Sequence, residues 1–243
     1  MFHPTAMVRY IRGFDEKVFL HPREQRYADE LARQEHIEPL TTDNVFRTGV
    51  YIILAIREIY EKQFLIYNKL LNRGLDTPQA MLNDKDSVRE IVSASMKTKK
   101  PKYILDFAEW WMDSDWKNKL LEDVYTGRRN WYDLRGELAD NAPGMSYKSA
   151  SFVMEASGYE TPVVIDTWVL QYLAYKGLID KSFIDTHRSL SKKEYPPIEK
   201  VMTRLAEENE MMPAPYRRAL WVYNSNWKKT KSSLDQVVLS FEC

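Results

Sequence analysis

From Thr41 onward, apolar side chains recur at helical spacing in one short segment after another, each closed by glycine, proline or a polar break. A chain punctuated this way folds as short helices joined by short links, and the expected class is all-α. Thr41-Thr42-Asp43-Asn44 supplies helix-starting side chains. The pattern then predicts helix from Val45 to Arg73, with room for one break and Gly74 as the stop. Thr77-Pro78 opens another helix, and Ser87 to Met96 reads as a further short one. Lys97 to Pro101 is a basic break before a helix over Lys102–Met112, whose Tyr103, Ile104, Phe107, Trp110 and Trp111 share one broad side. Asn130–Leu138 carries Trp131, Leu134 and Leu138 at helical spacing, and Ala150, Val153, Met154 and Ser157 mark one face of the next helix. Val163–Ile165 reads as a short extended run, followed by helix over Thr167–Lys176. Three further candidates are Pro197–Glu208, Pro215–Tyr223 and Ser232–Leu239. Residues 1–40 show no clear period, and no internal repeat is present. Only eight glycines in 243 residues disfavours a turn-rich all-β alternative.

Composition narrows the function. Hydrophobic residues make up 44% and aromatic residues 13%, enough for a real core. Formal net charge is zero, so any hold on nucleic acid must come from patches. Basic patches do occur, at Lys97, Lys99, Lys100 and Lys102, at Arg128 and Arg129, at Arg217 and Arg218, and at Lys228, Lys229 and Lys231. Each also reads as an ordinary solvated surface. The one cysteine, Cys243, excludes a disulfide within this sequence and a four-cysteine iron–sulfur cluster. A reducing compartment is the expectation: cytoplasm or nucleoid, or nucleus in a eukaryote. No apolar run is long enough to span a membrane, and no secretory signal is expected. His3, His21, His36 and His187 are scattered without metal-ligand spacing, and no P-loop or dinucleotide motif is present, so neither metal nor cofactor is expected.

The most informative segment is Pro143-Gly144-Met145-Ser146-Tyr147-Lys148, a short apolar helix, Gly158, and Val163-Val164-Ile165-Asp166-Thr167-Trp168. Residues 130–157 read as a helix-hairpin-helix. Glycine lets such a turn bring the backbone close to a phosphate, and the start of the second helix offers N–H groups and the positive dipole end to an anion. Gly144, Met145 and Ser146 are therefore the candidate phosphate grip. Lys148 follows at the start of the second helix, where the dipole disfavours an added positive charge and raises the share of neutral, nucleophilic amine. Asp166, just before a helix, is a natural N-cap that also favours an ionised carboxylate. An ordinary surface lysine and a purely structural cap are the alternatives.

The glycine turn, Lys148 and Asp166 together resemble the helix-hairpin-helix/Gly-Pro-Asp superfamily of DNA glycosylases. The lysine-to-aspartate interval is similar to that of the small archaeal and bacterial 8-oxoguanine DNA glycosylase/lyases. Lys100-Pro101-Lys102-Tyr103-Ile104 looks like that group's basic segment, and Leu220-Trp221-Val222-Tyr223 like its C-terminal Leu-Trp-aromatic signature. The resemblance implies a two-lobed helical glycosylase fold over residues 1–243, acting as a monomer. Its cleft would lie between a lobe of about 45–165 and a lobe of the N- and C-terminal segments. It implies a partner, double-stranded DNA with a damaged base, and catalysis by Lys148 and Asp166 with Schiff-base and lyase chemistry. Trp221 and Met96 would line the base pocket; Met96 stands where the group has an aromatic. Departures at Met96, at Leu54-Ala55-Ile56-Arg57 and at Trp168, with a chain running on to Cys243, bear on which base is read. An oxidised pyrimidine is the alternative lesion, and a non-catalytic DNA-binding hairpin the alternative class.

Overall fold

A computed structural model describes residues 40–56, 58, 60–95, 99–128, 130–185 and 190–224, the side chains of a few of them excepted. Among the described residues there are twelve helices and no strand, as the all-α expectation requires. The chain divides between Tyr159 and Glu160 into two compact units.

The unit ending at Tyr159 holds eight helices: α1 (Thr42–Ala55), α2 (Tyr60–Asn72), α3 (Pro78–Asn83), α4 (Lys85–Ser93), α5 (Lys100–Asp113), α6 (Trp116–Thr126), α7 (Trp131–Asn141) and α8 (Tyr147–Ala156). The break expected between Val45 and Arg73 falls after Ala55 and before Tyr60. Thr41 caps α1 through the Asn44 N–H, and Thr77 caps α3 through that of Ala80, both at 3.2 Å. The core is an aromatic stack. Phe46 and Phe107 lie 5.5 Å apart with planes 2° from parallel, and Trp111 and Trp116 join them. Each Phe removed from water contributes roughly 1.5–3 kcal/mol. Close approach of α1 and α5 requires a glycine in α1: a methyl group at Gly49 would fall 2.5 Å from Phe107 Cζ.

Helix α6 has no counterpart in the pattern reading. Its inner stripe runs Trp116, Leu120, Asp123, and a buried carboxylate interrupts the apolar period. That carboxylate is fully employed. Asp123 accepts the Asn130 N–H at 3.0 and 3.1 Å and the Tyr159 hydroxyl at 2.5 Å, tying the start of α7 to the residue that ends the unit.

Helix α5 starts two residues before the expected Lys102, because Lys100 is not a surface cation. It is 5% exposed, donates from Nζ to the Leu54 carbonyl at 2.6 Å, and lies 3.6 Å from Glu58. It thereby seals the last turn of α1. Burial pushes its ammonium below the usual lysine range, and Glu58 opposes that shift.

The other unit's described helices are α9 (Thr167–Tyr175), α10 (Ser182–Asp185), α11 (Tyr195–Glu208) and α12 (Pro213–Asn224). Helix α12 packs on α9 and α11. The Tyr172 and Tyr216 hydroxyls meet at 3.2 Å between α9 and α12. Tyr216 is 1% exposed, and burial pushes its hydroxyl well above the usual phenol range. Arg217, expected in a solvated basic cluster, is instead buried. The candidate helix Ser232–Leu239 lies outside the described residues.

Candidate active site

The hairpin is built from α7, a five-residue link and α8. Within the link, Met145 N–H donates to the Ala142 carbonyl at 3.1 Å, closing a four-residue turn. Pro143 takes the second position and Gly144, at φ +76°, the third, which is the type II arrangement. Glycine is required here twice over. Its φ is left-handed, and a methyl group would lie 3.1 Å from Tyr103 Cβ and 3.4 Å from Ile53 Cγ1. The turn is thus seated on α5 and α1. Met145 is half-buried and packs on the core, its Cε 3.3 Å from where a side chain at Gly49 would begin.

Ser146 closes the link, where the resemblance to the glycosylase superfamily implies a second glycine. Its backbone, at φ −133° and ψ 172°, is ordinary extended geometry that needs none. The side chain caps α8 by accepting the Ser149 N–H at 3.3 Å, and its hydroxyl meets that of Ser149 at 3.2 Å. The serine therefore supplies a cap that glycine lacks.

Lys148 is the second residue of α8 and is exposed, between buried Tyr147 and buried Ser149. Beneath the hairpin lies Arg135, wholly buried, with NH1 donating to Ser151 Oγ at 3.2 Å. Its guanidinium lies within 4.8–5.3 Å of the Trp131, Tyr132 and Tyr147 ring centres. This buried cation bolts α7 to α8, and an arginine on an otherwise apolar helix side is the one signal for it in the sequence.

Asp166 belongs to the other unit. As expected, it caps its helix, α9, by accepting the Val169 N–H at 2.9 Å. The run before it, Val163-Val164-Ile165, is buried and, among the described residues, pairs with no strand. Side chains of α11 satisfy it instead. Tyr195 Oη accepts the Ile165 N–H at 3.0 Å and donates to the Val163 carbonyl at 2.7 Å, while Glu199 accepts the Val163 N–H at 3.1 Å. Neither Tyr195 nor Glu199 is among the residues the sequence reading selects. The available signal was a glutamate inside the apolar stripe of Tyr195, Ile198, Met202 and Ala206.

Other candidate residues fare unevenly. Trp221 lies within α12. Met96 and Arg57 lie outside the described residues. The basic segment borders a groove of about 530 Å³ lined by Lys85, Arg89, Lys99 and Lys102, together with Asp106 and Glu109. Lys85 pairs with Glu109 at 2.6 Å, Lys102 with Asp106 at 2.5 Å and Arg89 with Asp86 at 2.8 Å, which drains much of its positive field. No described helix is long and apolar enough to cross a membrane.

A helical chain with a Pro-Gly hairpin turn, a lysine opening the second helix and an aspartate capping a later one has the features of a helix-hairpin-helix glycosylase fold. The sequence model of the 8-oxoguanine DNA glycosylase family (Ogg-HhH) matches residues 34–211, most of the chain, and the chain belongs to this family. The 8-oxoguanine DNA glycosylase/AP lyase of Methanocaldococcus jannaschii is 26% identical over 103 residues, which is 42% of this chain and 48% of that protein. The chain thus matches about half the length of that relative. In structure, it is similar to the M. jannaschii 8-oxoguanine DNA glycosylase, with a TM-score of 0.62 and 19% identity over 91% of this chain and 93% of that one. The 8-oxoguanine DNA glycosylase of Thermotoga maritima gives a TM-score of 0.64 with 20% identity, over 92% and 98%. These structural likenesses establish the helix-hairpin-helix fold.

Proposed function

We propose that this protein is a bifunctional DNA glycosylase/AP lyase that removes an oxidised base, foremost 8-oxoguanine, from double-stranded DNA. The observation that carries this is an exposed Lys148 two residues after a hairpin serine whose turn is held by Gly144, in a chain of the 8-oxoguanine glycosylase family. The named activity of the M. jannaschii and T. maritima relatives supports the choice of base. Gly144, Met145 and Ser146 would hold the backbone of the damaged strand, with backbone amides and the α8 dipole facing phosphate. A base stacked in a duplex is out of reach of an enzyme, so the nucleotide is extruded, and Trp221 and Met96 are the side chains proposed to receive it.

In the chemical step, the neutral Lys148 amine attacks the deoxyribose C1′. The C1′–base bond breaks, its electron pair leaves with the base, and the base takes up a proton. The Asp166 carboxylate stabilises the positive charge developing on the sugar and assists the proton transfers. Loss of the amine proton with opening of the sugar ring gives a Schiff base. Removal of a C2′ proton then expels the 3′ phosphate, cutting the strand, and water releases the lysine. A glycosylase that used water as nucleophile would stop at the abasic site, so a lysine in this place argues for lyase activity.

Borohydride reduces a Schiff base to a stable amine and tests the assignment. The wild-type chain forms a covalent adduct with an 8-oxoguanine duplex and Lys148→Gln forms none; an adduct that survives in the variant would sink Lys148 as the nucleophile. A panel of duplexes carrying single lesions tests the base. Excision of an oxidised pyrimidine with 8-oxoguanine untouched would reassign the substrate and leave the chemistry standing.

A further inference from the structure

We propose that Tyr195, seconded by Glu199, is a positioning residue for Asp166. This inference rests on the reading of Asp166 as the carboxylate that serves the sugar. The observation behind it is unusual in kind. Extended backbone normally finds its hydrogen bonds on a neighbouring strand. Here Val163 and Ile165 find them on one face of a helix, from side chains four residues apart. Val163 N–H, Val163 C=O and Ile165 N–H are the groups that an extended segment presents along one edge. Tyr195 and Glu199 cover all three.

The geometry specifies a position as well as an energy. The Tyr195 hydroxyl is used in both directions, accepting at 3.0 Å and donating at 2.7 Å, and the tyrosine is 1% exposed. Ile165 is the residue immediately before Asp166, so one bond holds the peptide next to the carboxylate-bearing residue. On its other side, Asp166 is held by its own cap to Val169 N–H at 2.9 Å. The aspartate is thus fixed from both flanks, by the helix it starts and by the helix that receives its lead-in. Simple stabilisation of the unit requires only that these backbone groups be satisfied. Positioning predicts in addition that their loss acts through Asp166.

Tyr195→Phe keeps the ring and removes only the hydroxyl. The experiment measures single-turnover excision from an 8-oxoguanine duplex, and duplex affinity by fluorescence anisotropy. It uses the wild type, Tyr195→Phe, Asp166→Asn and the double variant. The expected result for Tyr195→Phe is excision slowed roughly 10- to 100-fold, the scale of a misplaced catalytic group, with affinity changed by less than about twofold. In the Asp166→Asn background the same substitution costs less than about twofold, because coupled residues are not additive. Glu199 gives an independent series should Tyr195→Phe fold poorly. Glu199→Gln retains an oxygen acceptor for the Val163 N–H and stays near wild type, while Glu199→Ala repeats the tyrosine result. Equal losses in both backgrounds, or full excision by Tyr195→Phe, overturn the positioning role and leave the glycosylase reading intact. Full excision by Asp166→Asn alone overturns the role assigned to Asp166, and this inference with it.

Discussion

The hairpin and the aspartate segment reach the same end by opposite means. At the hairpin, backbone conformation does the placing: Pro143 and Gly144 set the turn, Ser146 closes the helix, and Lys148 follows. Ahead of Asp166 there is no such turn. A buried run, with no strand beside it among the described residues, is held from outside by Tyr195 and Glu199, some thirty residues later in the chain. Order of the first kind is set by neighbouring residues and then seated on α5 and α1. Order of the second kind exists only once α11 has docked.

The largest expected effects separate chemistry from scaffold in both regions. Lys148→Gln lowers strand cleavage by roughly three orders of magnitude or more. Because Lys148 is exposed, thermal stability shifts by no more than about 0.5 kcal/mol. A product gel and a melting curve check both, and a large stability loss would mean that the lysine serves the fold. Asp166→Asn keeps a good capping side chain and loses the charge, so excision drops by roughly 10²-fold or more while stability holds. Asp166→Ala loses about 1 kcal/mol besides. Equal melting temperatures for the two variants would refute the cap.

Smaller effects probe how each region is held. Gly144→Ala combines a left-handed φ with a close approach to Tyr103 and Ile53, and its expected cost is about 1–3 kcal/mol. Weaker binding to undamaged duplex should accompany it, since the same turn is the proposed phosphate grip. Tyr159→Phe leaves the buried Asp123 carboxylate one donor short and costs about 1–3 kcal/mol in chemical denaturation. Ser146→Gly is the mildest, a few tenths of a kcal/mol, because glycine is a tolerated N-cap. A Ser146→Gly loss as large as that of Gly144→Ala would erase the distinction between the two positions.

These contrasts also account for what could be read in advance. Most helices were legible because their apolar faces keep a strict period and their starts carry Thr41, Thr77, Ser146 and Asp166 as caps. The cap at Asp166 was legible because the residue stands just before a helix start, and the roles proposed for Lys148 and Asp166 rest on a spacing that resembles the glycosylase family's. Helix α6 was not, since a buried Asp123 occupies its inner face. Lys100 looked like part of a basic surface and is a buried seal on α1. The partners of Arg135, Tyr195 and Glu199 were not legible, for a common reason. Each bonds to a partner far away in sequence, across two packed helices or onto an irregular segment. Pattern along a chain reports which side of a helix is wet; it does not report which polar group crosses to the dry side.

The backbone angle at Ser146 reaches beyond this molecule. A search written as glycine, apolar residue, glycine passes over the turn, although nothing in its geometry is missing. Stated as conformations, the motif is one left-handed residue, one core anchor and one extended capping residue. A library randomised at 144 and 146 and selected for stability should therefore return glycine almost alone at the first position. At the second it should return the whole set of short oxygen-bearing side chains, Ser, Thr, Asp and Asn, with glycine close behind.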